Sequence, residues 1–241
     1  MIKFPIFAVQ EAIHQFGWAD GSLYLLDRLL SVISRSRLRL HKYYLVAQPV
    51  PQSQWLTTRR GQTLEVRQIA RHDPLVGAVP RPEWAIDYRF DQGAICLVEL
   101  NEGTFIGCFW CTLGPYLEDE VRCRYIPLPE GLSAWDFDVY LDPSQRNGVA
   151  FLKLWDEANR FFRDRNIRWS MSRISAFNKP SILSHGRMGA KRMGSATFLL
   201  IGSIQVSLTT MPPYLHLSSG PDSYPTLTLN PERTSADRAG N

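Results

Sequence analysis

The chain has 241 residues, of which 44% are hydrophobic and 21% are charged, and its formal net charge is +4. This balance is typical of a folded protein with a sizeable core, and it excludes a disordered or fibrous chain. The basic residues form no Lys/Arg stripe interleaved with aromatic residues, so no nucleic-acid interface is predicted. One basic cluster stands out, and we interpret it as a solvated face: Arg35, Arg37, Arg39, His41 and Lys42.

No stretch of the sequence approaches the ~18 apolar residues of a membrane span. The first residues, Met1 to Pro5, lack the apolar core of a signal peptide. We therefore predict no membrane span and a cytoplasmic location.

The chain has four cysteines, of which Cys108 and Cys111 have the C-x-x-C spacing of redox and zinc sites. Both lie in a predicted strand at residues 104–112, where residues three apart point to opposite faces. This favours buried structural thiols over a metal or redox centre, and no metal site is predicted.

The predicted elements begin with a helical apolar pattern at residues 8–36, interrupted at 19–22, where Ser22 could cap a second helix. A strand at 42–47 follows. We assign residues 1–60 to an N-terminal extension made of helices and this strand.

Alternating apolar residues and β-branched or aromatic enrichment predict the later strands, at residues 64–70, 94–100, 105–112, 121–126, 134–141, 167–175, 195–202 and 204–209. Helices are predicted near 84–88 and at 147–165 and 180–188. This order predicts an α+β (mixed α/β) fold with one central mixed sheet flanked by helices over residues 61–211. Residues 212–241 are rich in Pro, Ser, Thr and Gly and are predicted to be a mostly disordered tail.

One strand-to-helix junction has the features of an anion site. The predicted strand ends at Leu141, Pro143 stops it, and a helix begins near Asn147. The first turn of a helix presents unpaired N–H groups that attract anions. Gly148 would let a phosphate approach the backbone closely, and Arg146 adds positive charge. Taken alone, the junction could equally be an ordinary capped helix.

The junction resembles the pyrophosphate loop of the GNAT superfamily of N-acetyltransferases, Gln/Arg-x-x-Gly-x-Gly/Ala. The matching residues are Gln145, Arg146, Asn147, Gly148, Val149 and Ala150. Asn178, Ser181 and Gly189 agree with that family's next strand and helix. His185 stands where the family often has Tyr, and Ala190 where it has Phe.

The resemblance implies a GNAT-like domain that moves an acyl group to an amine of a small molecule by direct attack. The donor would be acetyl-CoA, another acyl-CoA or an acyl carrier protein. The backbone of Val139, Tyr140 and Leu141 would pair with the pantetheine arm, residues 145–150 would hold the pyrophosphate, and Asn178 and Ser181 would also contact the cofactor. A non-catalytic cofactor-binding or assembly module of the same fold is the alternative, and a homodimer stays open.

Three side chains are candidates for proton transfer. His185, in the position of the family's Tyr acid, could donate a proton when protonated. Asp136 and Asp138 are two apart on a predicted strand and so would share one face, where one carboxylate could raise the pKa of the other. The alternative for both aspartates is solvation or pairing with arginines on neighbouring strands.

Overall fold

The computed structural model describes residues 6–35, 37–56, 61, 63–145 and 148–233, and only the backbone of residues 6–8. They form two compact units. Unit 1 takes its described residues from Met1–Gln48, Glu120–Tyr125 and Ser172–Leu229, and unit 2 from Pro49–Asp119, Ile126–Met171 and Asn230–Asn241.

The helices, in chain order, are α1 Ile6–Ile33, α2 Glu83–Asp91, α3 Val149–Arg163 and α4 Lys179–Arg187. The strands are β1 Leu38–Pro49, β2 Leu64–Ile69, β3 Ile95–Asn101, β4 Thr104–Thr112, β5 Tyr116–Leu117, β6 Arg124–Pro127, β7 Ser133–Leu141, β8 Trp169–Ser175, β9 Lys191–Ile201, β10 Ile204–Thr209, β11 Leu215–Ser218 and β12 Thr226–Leu229.

Both units are built on β-sheet. In unit 1 the strand order is β11-β10-β9-β1, followed by the end of β8. In unit 2 the beginning of β8 pairs in parallel with β7, and β7-β4-β3-β2 follow as antiparallel neighbours. The mixture of parallel and antiparallel pairs, with helices beside the strands, confirms the predicted mixed α/β class.

Unit 2 packs a helix on each side of its strands. Ile86 and Phe90 of α2 belong to a core cluster with Val98 and Trp110 of β3 and β4. Because Phe109 directly precedes Trp110 on β4, it points to the other face. There its ring meets Trp155 of α3, with the ring centroids 5.1 Å apart. Residues on that second face of the sheet therefore lie beneath α3.

The break in α1 lies at Gly17, not at residues 19–22 as predicted. Gly17 has φ 79° and ψ 170°, a conformation that glycine adopts without a steric cost. Gly21 has a different role, because a Cβ there would come within 2.9 Å of the carbonyl oxygen of Ala12. The glycine in the 19–22 segment therefore allows the two parts of α1 to pack closely and does not end a helix.

The basic cluster is a solvated face only in part, because Arg35, Arg37 and Arg39 are exposed as predicted, whereas two of its members are not. His41 and Lys42 are only half exposed on β1. The Nζ of Lys42 lies 2.6 Å from Oδ1 of Asp20 on α1. The strand therefore turns these side chains toward partners within unit 1, which a charge count cannot reveal.

Residues 212–229 differ from the predicted disordered tail. They contain β11 and β12. β11 pairs in register with β10, and Leu227 and Leu229 of β12 are buried. The buried leucines anchor β12, and the backbone pairing with β10 orders β11. Residues 234–241 lie outside the described part.

The four cysteines are buried thiols that form no disulfide with one another, as predicted for structural thiols. Among the described residues, no helix is both long enough and apolar enough to cross a membrane.

Candidate functional site

The junction between β7 and α3 has an uncapped helix start. After β7, the Asp142 carboxylate accepts a 2.9 Å hydrogen bond from the backbone N–H of Ser144, which shapes a single 3-10 turn. Gly148 is the N-cap of α3, with extended backbone (φ −150°), and it supplies no side-chain hydrogen bond. The first turn of α3 has no acidic residue. Two predicted contacts, Arg146 and Asn147, lie outside the described residues.

A pocket of about 360 Å³ opens at this helix start in unit 2. Its described lining comes from the segment before β2, from the ends of β2 and β3, and from the β7–α3 junction: Gly61, Thr63, Leu64, Asn101, Ser144, Gln145, Gly148, Val149 and Ala150. None of these residues carries a carboxylate. The pocket thus combines the positive end of the helix dipole with neutral polar side chains, which suits an anionic group.

The strand that leads into this pocket is paired along one edge by β4. Val139, Tyr140 and Leu141 lie opposite Phe109, Cys108 and Gly107. The register between β7 and β8 covers residues 133–135 opposite 169–171 and does not extend to residue 139.

Gly107 marks a close approach to the end of β7. A Cβ there would lie 2.6 Å from Leu141 Cδ2 and 2.8 Å from the carbonyl oxygen of Tyr140. A side chain at residue 107 would therefore push the end of β7 away from β4.

The prediction that Asp136 and Asp138 share a face is wrong. Asp138 lies opposite Trp110 and Asp136 opposite Cys111, with a register shift between them. Trp110 and Cys111 are consecutive on β4 and point to opposite faces, and so do the two aspartates. Phe137 is the extra residue of this β-bulge, which interrupts the two-residue alternation. The two carboxylates therefore do not form a pair.

Asp138 belongs to an ion cluster. It accepts hydrogen bonds from Arg81 Nε at 2.6 Å and Arg89 Nη1 at 2.7 Å. Arg89 also donates to Asp119 at 2.9 Å, and its side chain is only 6% exposed. Both carboxylate oxygens of Asp138 are therefore engaged by guanidinium groups. Arg81 and Arg89 were missed by sequence reasoning, because both lie far from Asp138 along the chain.

Asp136 is buried and accepts a 2.5 Å hydrogen bond from the hydroxyl of Ser170. Asp136 is therefore not solvated. Asp138 does pair with arginines, as the alternative proposed, but Arg81 and Arg89 do not lie on neighbouring strands.

Glu99 is a further ionisable residue that sequence reasoning missed. It lies on β3 opposite Gly107 and is fully buried. Neither carboxyl oxygen has a hydrogen-bond partner among the described residues. Burial raises the pKa of Glu99 to about 8, and Lys153 on α3 opposes this rise. The sequence did contain a signal for this buried carboxyl group, since Glu99 interrupts the apolar run of residues 95–100.

In unit 1, Asn178 and Ser181 come together at the start of α4. The Asn178 Oδ1 accepts a 3.2 Å hydrogen bond from the backbone N–H of Ser181, which makes Asn178 the N-cap. This hydrogen bond explains the two residues as an ordinary helix cap, so their contacts with a cofactor stay predictions.

His185 of α4 is buried, and its Nδ1 lies 3.2 Å from Oε1 of Gln48. Burial lowers the pKa of His185 to about 4. The imidazole is therefore neutral near pH 7, which corrects our expectation of a protonated acid. A neutral imidazole keeps one donor and one acceptor nitrogen.

No protein-family model matches the chain, and no curated protein matches it. Solved structures that it is similar to include an aminoglycoside acetyltransferase from an uncultured soil metagenomic sample, solved with sisomicin. The identity is 13%, covering 52% of this chain and 87% of that one, with a TM-score of 0.36.

Two others are a tandem GNAT protein from the clavulanic acid biosynthesis pathway and a ribosomal-protein-alanine N-acetyltransferase from Brucella melitensis biovar Abortus 2308. The first is 10% identical over 64% of this chain and 50% of that one, with a TM-score of 0.41. The second is 18% identical over 43% and 74%, with a TM-score of 0.29. These likenesses concern the fold alone, so a function has to be inferred from the residues.

Proposed function

We propose that the chain is an N-acyltransferase that transfers an acyl group from acetyl-CoA, another acyl-CoA or an acyl carrier protein to an amine of a small molecule. The observation that supports this most is the 360 Å³ pocket at the start of α3. The sequence around it has the spacing of the GNAT pyrophosphate loop, from Gln145 to Ala150.

The pocket fits the phosphates of such a cofactor. Gly148 leaves the helix start without a side-chain cap, so the first N–H groups of α3 are not taken by its side chain. The absence of carboxylates from the described lining avoids repulsion of an anion. The residues that would hold the phosphates are Gln145, Gly148, Val149 and Ala150, together with Arg146 and Asn147, which lie outside the described residues.

The end of β7 would hold the arm that follows the phosphates. The register with β8 ends at Trp135, and the backbone of residues 139–141 would pair with the amide groups of pantetheine. When bound, the cofactor supplies an acyl carbonyl activated by its thioester.

The proton steps form a separate proposal. Asp138 is held by two guanidiniums and Asp136 by Ser170, so neither has the pairing expected of a general base. His185 is the remaining candidate: its lowered pKa makes it a weak base, and in its neutral form it keeps one N–H that would donate a hydrogen bond to the leaving sulfur. Replacing His185 by Gln and measuring turnover at saturating acyl-CoA tests this role.

The binding step can be tested at Gly148, where two isosteric variants differ only in charge. Its extended backbone is open to any residue, and a Cβ there meets no atom closer than 3.9 Å. Asp and Asn are both good N-caps, so Gly148→Asp and Gly148→Asn should fold equally well. We expect Gly148→Asp to bind CoA about tenfold more weakly than Gly148→Asn in calorimetric titration, a difference of ~1.4 kcal/mol.

Equal CoA affinities in the two variants would exclude phosphate binding at this helix start. The wild-type protein should also acylate at least one member of a panel of primary amines, followed by release of free thiol.

A non-catalytic cofactor-binding module is the second candidate. What favours it is the state of the three proton-transfer candidates: Asp138 is ion-paired, Asp136 is buried, and His185 is neutral. CoA binding without thiol release on any amine of the panel would select this alternative.

A further inference from the structure

Unit 1 contains a pocket that includes His185, the residue proposed above for the proton step, but lies apart from the phosphate pocket of unit 2 in its lining residues. It has a volume of about 200 Å³ and lies among residues of β1, β8, α4 and β9. Much of its wall is apolar, formed by Val46, Ile174, Ile182 and Ala190. A cavity of roughly 150 Å³ with such a lining binds benzene, so this pocket has room for a body of roughly six to eight carbon atoms.

The rim of the pocket has a net positive charge. Arg192 lines it, and its guanidinium carbon lies 3.7 Å from the centre of the Tyr44 ring. Behind Tyr44, the Asp20 carboxylate accepts a hydrogen bond from the tyrosine hydroxyl and pairs with Lys42 at 2.6 Å. The charges of Asp20 and Lys42 thus cancel.

Arg192 has no such partner, because no carboxylate of the residues that the structure describes forms an ion pair with it. A guanidinium stacked on an aromatic ring keeps its edge available for a carboxylate. The remaining polar wall is His185, whose imidazole is neutral near pH 7 and adds no opposing charge.

We propose that this pocket binds a small apolar monocarboxylate, with its hydrocarbon body against Val46, Ile174 and Ile182 and its carboxylate on Arg192. This site shares His185 with the proposed acyl transfer, but carboxylate binding at Arg192 is measured without any acyl donor and can fail or succeed independently of that function. The ligand class follows from one uncompensated cation at the rim of an otherwise apolar pocket.

Three six-carbon probes separate the charge from the apolar body: hexanoate, hexan-1-ol and hexylammonium. At about pH 7 we expect hexanoate to bind wild-type protein at least about tenfold more tightly than hexylammonium, measured by calorimetry or by NMR shifts of residues in the pocket. Arg192→Gln should lose about tenfold of the hexanoate affinity and leave hexan-1-ol unchanged, whereas Arg192→Lys should keep most of it.

A second pair of variants tests the location. Gly186 lines the pocket, and a Cβ there meets no atom within 4 Å. Leucine and alanine are both better helix formers than glycine, so Gly186→Leu and Gly186→Ala should fold. Leucine should occupy the space and abolish hexanoate binding, and alanine should preserve it.

The proposal is overturned if wild-type protein does not bind hexanoate at millimolar concentration, or if hexylammonium binds as well as hexanoate. It is also overturned if Arg192→Lys loses as much affinity as Arg192→Gln, or if Gly186→Leu still binds hexanoate like Gly186→Ala. Thermal unfolding of each variant verifies that it is folded.

Discussion

The Nδ1 of His185 lies 3.2 Å from Oε1 of Gln48, with both side chains buried in unit 1. This contact fixes the ring while burial keeps it uncharged. His185 is therefore placed like a core histidine, and its charge state differs from that of a histidine in water.

Acid should destabilise the protein through His185. Its pKa is about 4 in the folded state, compared with about 6.5 in an unfolded chain. The unfolded state therefore binds more protons as the pH falls from about 6.5 to about 4, and the free energy of unfolding should drop by roughly 2–3 kcal/mol over that window. Denaturant unfolding of His185→Gln at several pH values should show a shallower slope there.

The matched control is His72→Gln, which changes an exposed histidine. Its pH slope should follow that of the wild type. A His185→Gln slope identical to both would mean that the imidazole titrates normally.

Glu99 should have the opposite pH dependence. Its pKa is about 8 in the folded state and about 4.3 in an unfolded chain. The folded state holds the proton longer, so the stability is full below about pH 4.3 and falls as the pH rises toward 8. Glu99→Gln keeps the shape without the ionisation, and we expect it to be about 1–3 kcal/mol more stable than wild type near pH 8 but not near pH 4.

Glu65→Gln on the neighbouring strand serves as the control, since Glu65 is exposed. It should not change the pH profile. A Glu99→Gln protein that is equally affected at both pH values would show that the pKa of Glu99 is the same in the folded and unfolded states.

Asp138→Asn tests whether that carboxylate is structural. The change leaves Arg81 and the buried Arg89 with a neutral partner, so we expect a loss of about 3 kcal/mol in the free energy of unfolding. Asp91→Asn, in an exposed ion pair, should lose far less. A stable Asp138→Asn protein with abolished turnover would instead favour the predicted role as a base.

Asp156 should anchor the segment before β2. Its carboxylate accepts hydrogen bonds from the backbone N–H groups of Trp55 at 2.9 Å and Leu56 at 2.8 Å. Asp156→Ala leaves both donors unpaired, and we expect chemical denaturation to show a loss of about 2–3 kcal/mol. The exposed Asp164, at the C-cap of the same helix, provides the control as Asp164→Ala, with a change within about 0.5 kcal/mol.

Local patterns predicted much of the fold. The helical period at residues 147–165 became α3, and the Glu102-Gly103 turn joins β3 and β4 with φ values of 50° and 80°. These features depend on neighbours in the chain, so the sequence contains their signals.

The errors at the candidate site have non-local causes. The side of the sheet on which Asp138 lies depends on the β-bulge at Phe137. The alternation of apolar and polar residues in the sequence does not reveal such a bulge. Its partners Arg81 and Arg89 come from other elements. The charge of His185 depends on how deeply its side chain is buried, and the sequence alone does not show this burial.

β1 pairs with β9 along its length, from Leu38 opposite Ile201 to Ala47 opposite Lys191. A ribosome must therefore synthesise nearly the whole chain before the sheet of unit 1 can close, whereas β2, β3 and β4 meet their neighbours soon after synthesis. Contacts so distant in sequence slow folding and leave strands exposed in the meantime. We expect β1 to be the segment that chaperones protect longest and the first to aggregate when synthesis is truncated before β9.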